Sequence, residues 1–250
     1  MSMHKKNGIV LGLGLALVVA AAPTQGASEV DVEMMDPEVS HHDRESIRKG
    51  AELYAEYCVG CHSLEHLRYT RLAEDVGEDE DWLREEIMRS GDEDKFDPIV
   101  NTMDPEDAED WFGLVPPDLS LTARQQSEEW IYTYLNTFYA DEDADVGYNN
   151  LVQEGTSMPH VLQALQGDQH AERNEEGEVV DLEIPEDAEG RLSEEEYQEV
   201  TAQITAFLSY AAEPIRADRE RLGVWVILFL IVFTGVFYLL YKEYWRDIKK

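Results

Sequence analysis

Across 250 residues, 54 Asp and Glu stand against 20 Lys and Arg, a net charge of −34. Such a surface repels nucleic acid and anionic lipid head groups and attracts basic partners, which excludes a nucleic-acid-binding role. The acids cluster at Asp141 to Asp145, at Glu172 to Glu199 and over Glu74 to Asp110. Two readings of them compete: a docking face for a cationic electron-transfer protein, or a solvated acidic surface suited to a saline habitat. Because the acids are spread over the whole domain, the saline reading is favoured for most of them.

Residues 1 to 27 read as a secretory signal, with Lys5 and Lys6 as the positive flank and Ile9 to Ala22 as an apolar stretch too short to span a bilayer. Cleavage follows either Ala20-Ala21-Ala22 or Thr24-Gln25-Gly26. The expected domain, residues 28 to 215, is exported and long enough for a real core.

Ile47, Tyr54 and Cys58 recur at helical spacing, which predicts a helix from about Arg44 to Cys58. At its end stands Cys58-Val59-Gly60-Cys61-His62, the C-x-x-C-H pattern of c-type haem attachment. Both thiols add to the haem vinyl groups, and the adjacent His62 serves as proximal ligand. A structural zinc site needs two more ligands at matching spacing, and the chain has no third cysteine. A dithiol oxidoreductase needs a βαβ pattern around the motif, where this motif ends a helix and opens a loop.

Further on, Trp82 to Arg89 carries a helical pattern. Ser127 as N-cap, with Glu128 and Glu129 in the first turn, starts a helix presenting Trp130, Ile131, Tyr134, Leu135 and Phe138. Asp141 to Gly147 and Gly167 to Gly190 are acidic and aperiodic, and read as mobile excursions. Apart from His62, the candidates for a second axial position are His41, His42, His66, His160 and His170, together with Met34, Met35, Met88, Met103 and Met158. Met158 is best placed, because Pro159 forces it into an extended conformation in a stiff loop and suits the first turn of a helix through Leu162 and Leu165. Met103 is the rival, flanked by acids whose desolvation beside an iron ligand is costly.

Ser193 and Glu196 form a capping box for a helix with Tyr197, Val200, Ile204, Leu208 and Ala211 on one face, stopped by Pro214. Leu222 to Tyr241 then runs 20 residues without a charge, enough to cross a hydrocarbon core. Trp225, Tyr238, Tyr241, Tyr244 and Trp245 are interfacial anchors, and the tail 242–250 stays cytoplasmic if the signal exports what precedes the span.

Four segments, in order, resemble cytochrome c1, the haem-bearing subunit of the cytochrome bc1 complex, in its short proteobacterial form. They are Gly50 to Tyr69, Val115 to Leu121, Met158 to Gly167 and Ala212 through Trp245. The resemblance implies a mainly α-helical c-type cytochrome domain with a single C-terminal transmembrane helix and one covalent heme c. Cys58 and Cys61 are then the thioether sites, His62 and Met158 the axial ligands, Pro116-Pro117 a wall of the haem site and Arg124 a propionate partner. The family often carries two arginines spaced by one residue here; this chain has Arg124 and then Gln126.

By the same resemblance the partners are cytochrome b, the Rieske iron-sulfur protein as electron donor and a soluble or membrane-bound cytochrome c as acceptor, in a dimeric complex of the inner membrane with the haem domain in the periplasm. The rival readings are a free-standing anchored cytochrome feeding an oxidase, an enzyme or gas sensor with an open iron position, and an anchor and assembly subunit whose haem is incidental. No acid/base or nucleophile constellation stands out beyond the haem motif.

Overall fold

The computed structural model describes residues 32–88, 91, 93–175 and 177–247; the expected signal segment, 1–27, lies outside them. Nine helices and three small two-stranded sheets are found among the described residues. Two helices carry the architecture. α1 (Arg44–Tyr57) starts at Asp43, whose carboxylate accepts from the amides of Glu45 and Ser46, two donors that otherwise have no helical partner. α8 (Glu194–Ala212) starts at the expected capping box: Ser193 Oγ accepts from the Glu196 amide and the Glu196 carboxylate accepts from the Ser193 amide. Three glutamates in its first turn complement the helix dipole.

α1 packs along α8. Ile47, Ala51 and Tyr54 are buried together with Ile204, Phe207, Leu208 and Ala211, and the Tyr54 and Phe207 rings lie 5.3 Å apart. The approach is tight enough to require glycine at position 50, where a Cβ would lie 2.0 Å from the Gln203 carbonyl oxygen. α6 (Glu128–Asn136) crosses α8 on another face. That contact is partly polar: Tyr197 Oη donates to the Leu135 carbonyl at 2.7 Å, and Asn136 Nδ2 donates to Thr201 Oγ1 at 2.9 Å. Buried donors with assigned acceptors fix the register of the two helices where apolar contacts alone would let them slide.

Between α1 and α6 the chain makes β1 (Leu64–Arg68), α2 (Tyr69–Val76), the single turn α3 (Glu80–Trp82), β2 (Pro98–Ile99), α4 (Pro105–Phe112) and α5 (Thr122–Gln125). The helical pattern expected over 82–89 is realised as α3 widening into a π-turn, Leu83–Ile87, with Met88 buried in the core. β1 and β2 pair antiparallel.

The two acidic stretches differ from expectation. Asp141 to Gly147 is the tight connection of a hairpin between β3 (Phe138–Ala140) and β4 (Tyr148–Asn150). Within 167–190, β5 (His170–Arg173) and β6 (Val179–Glu183) form a second hairpin. Its base is closed by Gly167 and Gly190; a Cβ on either would meet backbone within 2.3 and 2.1 Å. The helix expected from Pro159 onward is only one turn, α7 (Gln163–Gln166), because the His160 ring is drawn into a stack on Phe138 and Gly167, at φ 97°, ends the turn.

After α8 only Glu213, Pro214 and Ile215 precede α9 (Arg216–Tyr244), 29 residues long with no residue buried and a mean hydropathy of 2.5 over its most apolar window. Among the described residues, three ion pairs tie this helix to the residues before it: Arg216 to Glu128, Arg219 to Glu213 at 2.7 Å and His42 to Glu220 at 3.9 Å. Glu128 Oε1 accepts from Ser209 Oγ of α8 at 2.7 Å and from Arg216 Nη1 of α9 at 3.0 Å, and His41 Nε2 lies 3.3 Å from it.

Candidate haem pocket

Cys58 is the residue that ends α1, and its amide donates to the Tyr54 carbonyl at 2.8 Å. The chain then turns back on itself. The amides of Cys61 and His62 both donate to the Cys58 carbonyl, at 3.1 and 2.9 Å, so one turn carries both thiols and the imidazole to the same side. Two further residues, Tyr54 and Asn101, hold that turn from outside through three hydrogen bonds. Tyr54 Oη donates to the His62 carbonyl at 2.7 Å, Asn101 Nδ2 donates to the Cys61 carbonyl at 2.7 Å, and the Asn101 amide donates to Ser63 Oγ at 3.0 Å.

The turn faces a cavity of about 490 Å³, lined mostly by apolar groups. That is within the range of cofactor pockets, about 300–1,000 Å³. Cys58, Cys61 and His62 form one wall and Met158 another. Trp130 and Tyr134 of α6, with Ile204 and Leu208 of α8, supply apolar surface, and Pro116 and Pro117 complete it. Among the described residues no other histidine or methionine lines it; Met103 and Met88 lie elsewhere.

His62 is oriented by a single contact. Its Nδ1 lies 2.8 Å from the Pro117 carbonyl, and a carbonyl only accepts, so Nδ1 carries the proton and Nε2 keeps its lone pair. Burial lowers the imidazole pKa, while the Pro117 bond and the Asp118 charge raise it. Burial comes first, and the ring is held neutral. Burial also pushes the Cys58 thiol up to about 12 and raises that of Cys61, so neither is a resting thiolate.

Met158 lies in a loop rather than at a helix start. Its amide donates to Thr156 Oγ1 at 3.3 Å, and Thr156 Oγ1 is also 2.8 Å from Tyr134 Oη. The loop is hung on β4 by two asparagines. Asn149 Oδ1 accepts from the Gly155 amide at 2.9 Å, and the buried Asn150 accepts from the Val152 amide at 2.9 Å while donating to the Tyr134 carbonyl at 2.8 Å. Of the sequence-predicted site residues, the cavity brings together Cys58, Cys61, His62, Pro117 and Met158. Arg124 is exposed on α5 and is not part of the wall, which its neighbours Gln125 and Gln126 join.

Asn101, Asn149 and Asn150 escaped the sequence reading, and Tyr54 enters it only as part of the α1 face and not as a support of the haem turn. Only Tyr54 had a signal, its place four residues before Cys58. The residues fit a covalently bound haem: two thiols and a neutral nitrogen open on one apolar cavity, a thioether on the same cavity, and a backbone carbonyl fixing the tautomer.

The family model for the Cytochrome C1 family matches residues 34–248, nearly all of the described chain. The chain belongs to the cytochrome c1 family. Cytochrome c1 of Allochromatium vinosum is 41% identical over 246 residues, covering 96% of this chain and 98% of that one. The ammonia monooxygenase gamma subunit of Nitrosomonas europaea is 38% identical over 235 residues, with 94% and 97% covered. Cytochrome c1 of Blastochloris viridis is 25% identical over 272 residues, with 97% and 95% covered. As a cytochrome c1, this chain is a membrane-anchored electron-transfer subunit with covalent heme c, part of a cytochrome bc1 complex with cytochrome b and the Rieske protein.

Proposed function

We propose that this cytochrome c1 holds its haem through thioether bonds from Cys58 and Cys61 and through axial bonds from His62 and Met158, and hands electrons from the Rieske protein to a cytochrome c. The observation that carries this reading is that His62, with Nε2 left free by the Pro117 carbonyl, and Met158 line one cavity with both cysteines. When bound, the group supplies a one-electron store between ferric and ferrous iron.

The chain's own residues do the rest. His62 offers a neutral nitrogen and Met158 a soft sulfur, a pair that favours the ferrous state and raises the potential. Trp130, Tyr134, Ile204 and Leu208 exclude water and lower the local dielectric, which acts in the same direction. Pro117 both walls the site and fixes the His62 tautomer; Arg124 reaches a propionate only if its exposed side chain folds back over α5. No proton donor is required of the protein.

The topology proposed is a signal over 1–27, a periplasmic haem domain over 28–215, a span over 222–241 within α9 and a cytoplasmic tail over 242–250, in a dimeric complex of the inner membrane. Haem-stained denaturing electrophoresis tests the attachment. Wild type retains the stain and Cys58→Ala or Cys61→Ala weakens or loses it; loss of all stain from wild type on denaturation refutes the thioether reading. In the retained protein, Met158→Leu lowers the midpoint potential and opens carbon monoxide binding, and an unchanged potential refutes the sulfur ligand.

A further inference from the structure

Met158 sits in a segment with neither helix nor strand, residues 151–160, so ladder hydrogen bonds do not hold its thioether in place. Two side-chain attachments flank it. On one side Thr156, itself buried, takes the Met158 amide and meets Tyr134 Oη. On the other side His160 is 6% exposed. Its ring lies flat on Phe138, centroids 5.0 Å apart and planes 6° apart, and Tyr148 meets it edge-on at 5.5 Å and 69°.

The two attachments are continuous. Phe138 meets Tyr134 edge-on at 4.9 Å, and Tyr134 stacks on Trp130 at 5.0 Å and 8°. A row of four rings, Trp130, Tyr134, Phe138 and His160, thus runs from the cavity wall and ends beyond Met158. His160 Nε2 is buried without a hydrogen bond of good geometry among the described residues; the Gln166 side chain, whose Oε1 is left over in the same way, is the polar group that bears on it. A poorly paired buried nitrogen opposes folding, so it is the ring faces that hold the imidazole in place.

We propose that His160 is a positioning residue for electron transfer: wedged between Phe138 and Tyr148, its ring fixes the Met158 loop and so holds the sulfur at the haem. This rests on Met158 being the sulfur ligand. The wedge predicts that shape and aromaticity at position 160 matter, and that hydrogen-bonding capacity does not.

The test uses the haem-loaded full chain in detergent, with three readouts: the near-infrared sulfur-to-iron band of the oxidised protein, carbon monoxide binding by the reduced protein, and the reduced-to-oxidised ratio at fixed ambient potential. His160→Leu is expected to weaken the band, admit carbon monoxide and lower the ratio about tenfold, which is about 59 mV for one electron. His160→Phe restores all three and melts no lower than the parent. Leu72→Ala, in the core on α2 and away from the cavity, lowers stability without moving band or ratio.

The proposal is overturned if His160→Leu leaves band and ratio unchanged, if His160→Phe is as damaging as His160→Leu, or if Leu72→Ala produces the same loss. Met158→Leu separates the two levels. If it abolishes the band while His160→Leu does nothing, the ligand stands and the wedge fails; if the band survives in Met158→Leu, both fail. Should His160→Leu not load haem, Tyr148→Leu removes the edge contact together with the Tyr148 Oη bond to Asp168, and Tyr148→Phe removes that bond alone. A smaller shift of the same sign is expected in Tyr148→Leu and none in Tyr148→Phe; no shift in Tyr148→Leu, or an equal shift in Tyr148→Phe, overturns the wedge.

Discussion

Replacing Gly50 by alanine tests whether α1 and α8 are as close as the structure has them. In an ordinary exposed helix interior this change adds stability, by about 1 kcal/mol, since alanine has the better helix propensity. At Gly50 the new Cβ would stand 2.0 Å from the Gln203 carbonyl oxygen, 2.7 Å from its carbonyl carbon and 2.8 Å from Phe207 Cβ. The carbon-to-oxygen distance falls short of a normal close approach of about 3.3 Å by about 1.3 Å. None of the three atoms is the tip of a flexible side chain, so relief requires the helix backbones to part.

Overfilling a packed interface costs about 1–3 kcal/mol, and a backbone obstruction belongs at or beyond the upper end. After the propensity gain, a net loss of about 2–3 kcal/mol is expected. At about 2–4 °C per kcal/mol for a domain of this size, Tm falls by about 4–12 °C. Thermal unfolding of the detergent-solubilised full chain, followed by far-ultraviolet circular dichroism, measures it. Because α1 ends in the Cys58 turn, haem yield falls alongside Tm. A melting temperature equal to or above wild type would mean that the helices are not in contact at Gly50, and would falsify the packing described here.

The other two expectations concern backbone strain and charge. Ser127 has φ 125° and ψ 169°, a region that costs a side-chain-bearing residue about 1–3 kcal/mol. Its hydroxyl accepts from the Trp130 amide at 3.2 Å, but glycine replaces serine as an N-cap for only a few tenths of a kcal/mol. Ser127→Gly is therefore expected to raise Tm by about 2–4 °C for each kcal/mol of strain relieved; a fall in Tm refutes the strain. As for charge, 54 acids minus 20 bases leaves 34 acids that no basic side chain can neutralise. Screening their repulsion should raise the unfolding midpoint between low and molar salt, and a midpoint that stays level or falls would refute the saline-habitat reading.

What was legible in the sequence was local. Cys58 to His62 is a contiguous motif, the Ser193 and Glu196 box spans four residues, Ser127 caps its own helix, and the apolar run of α9 is a property of composition. What was not legible acts across long separations. Asn101 reaches Cys61 over 40 residues, and Asn150 bridges the Met158 loop to α6. An asparagine in an acidic stretch carries no periodic signal of such a role.

The hairpins were hidden for a related reason. In β5 only Ala171 is even partly buried, so no strand face buries enough to impose the alternation by which strands are recognised. Pro159 misled in another way: it is compatible with a helix start, yet the pull of the Phe138 stack on His160 settles the backbone there.

The short joint between α8 and α9 makes the haem's address in the complex a question of angle. Glu213, Pro214 and Ile215 are the whole length of chain between a helix that walls the cavity and the helix that crosses the bilayer. Over a helix of 19 residues, about 28 Å, a swing of about 10° at the joint sweeps the far end sideways by about 5 Å. Glu128, gripping Ser209 on one side of the joint and Arg216 on the other with a single oxygen, acts as its set-screw. A carboxylate that does not line the cavity is thus one of the contacts that set this angle, beside the Arg219 to Glu213 pair within the joint itself.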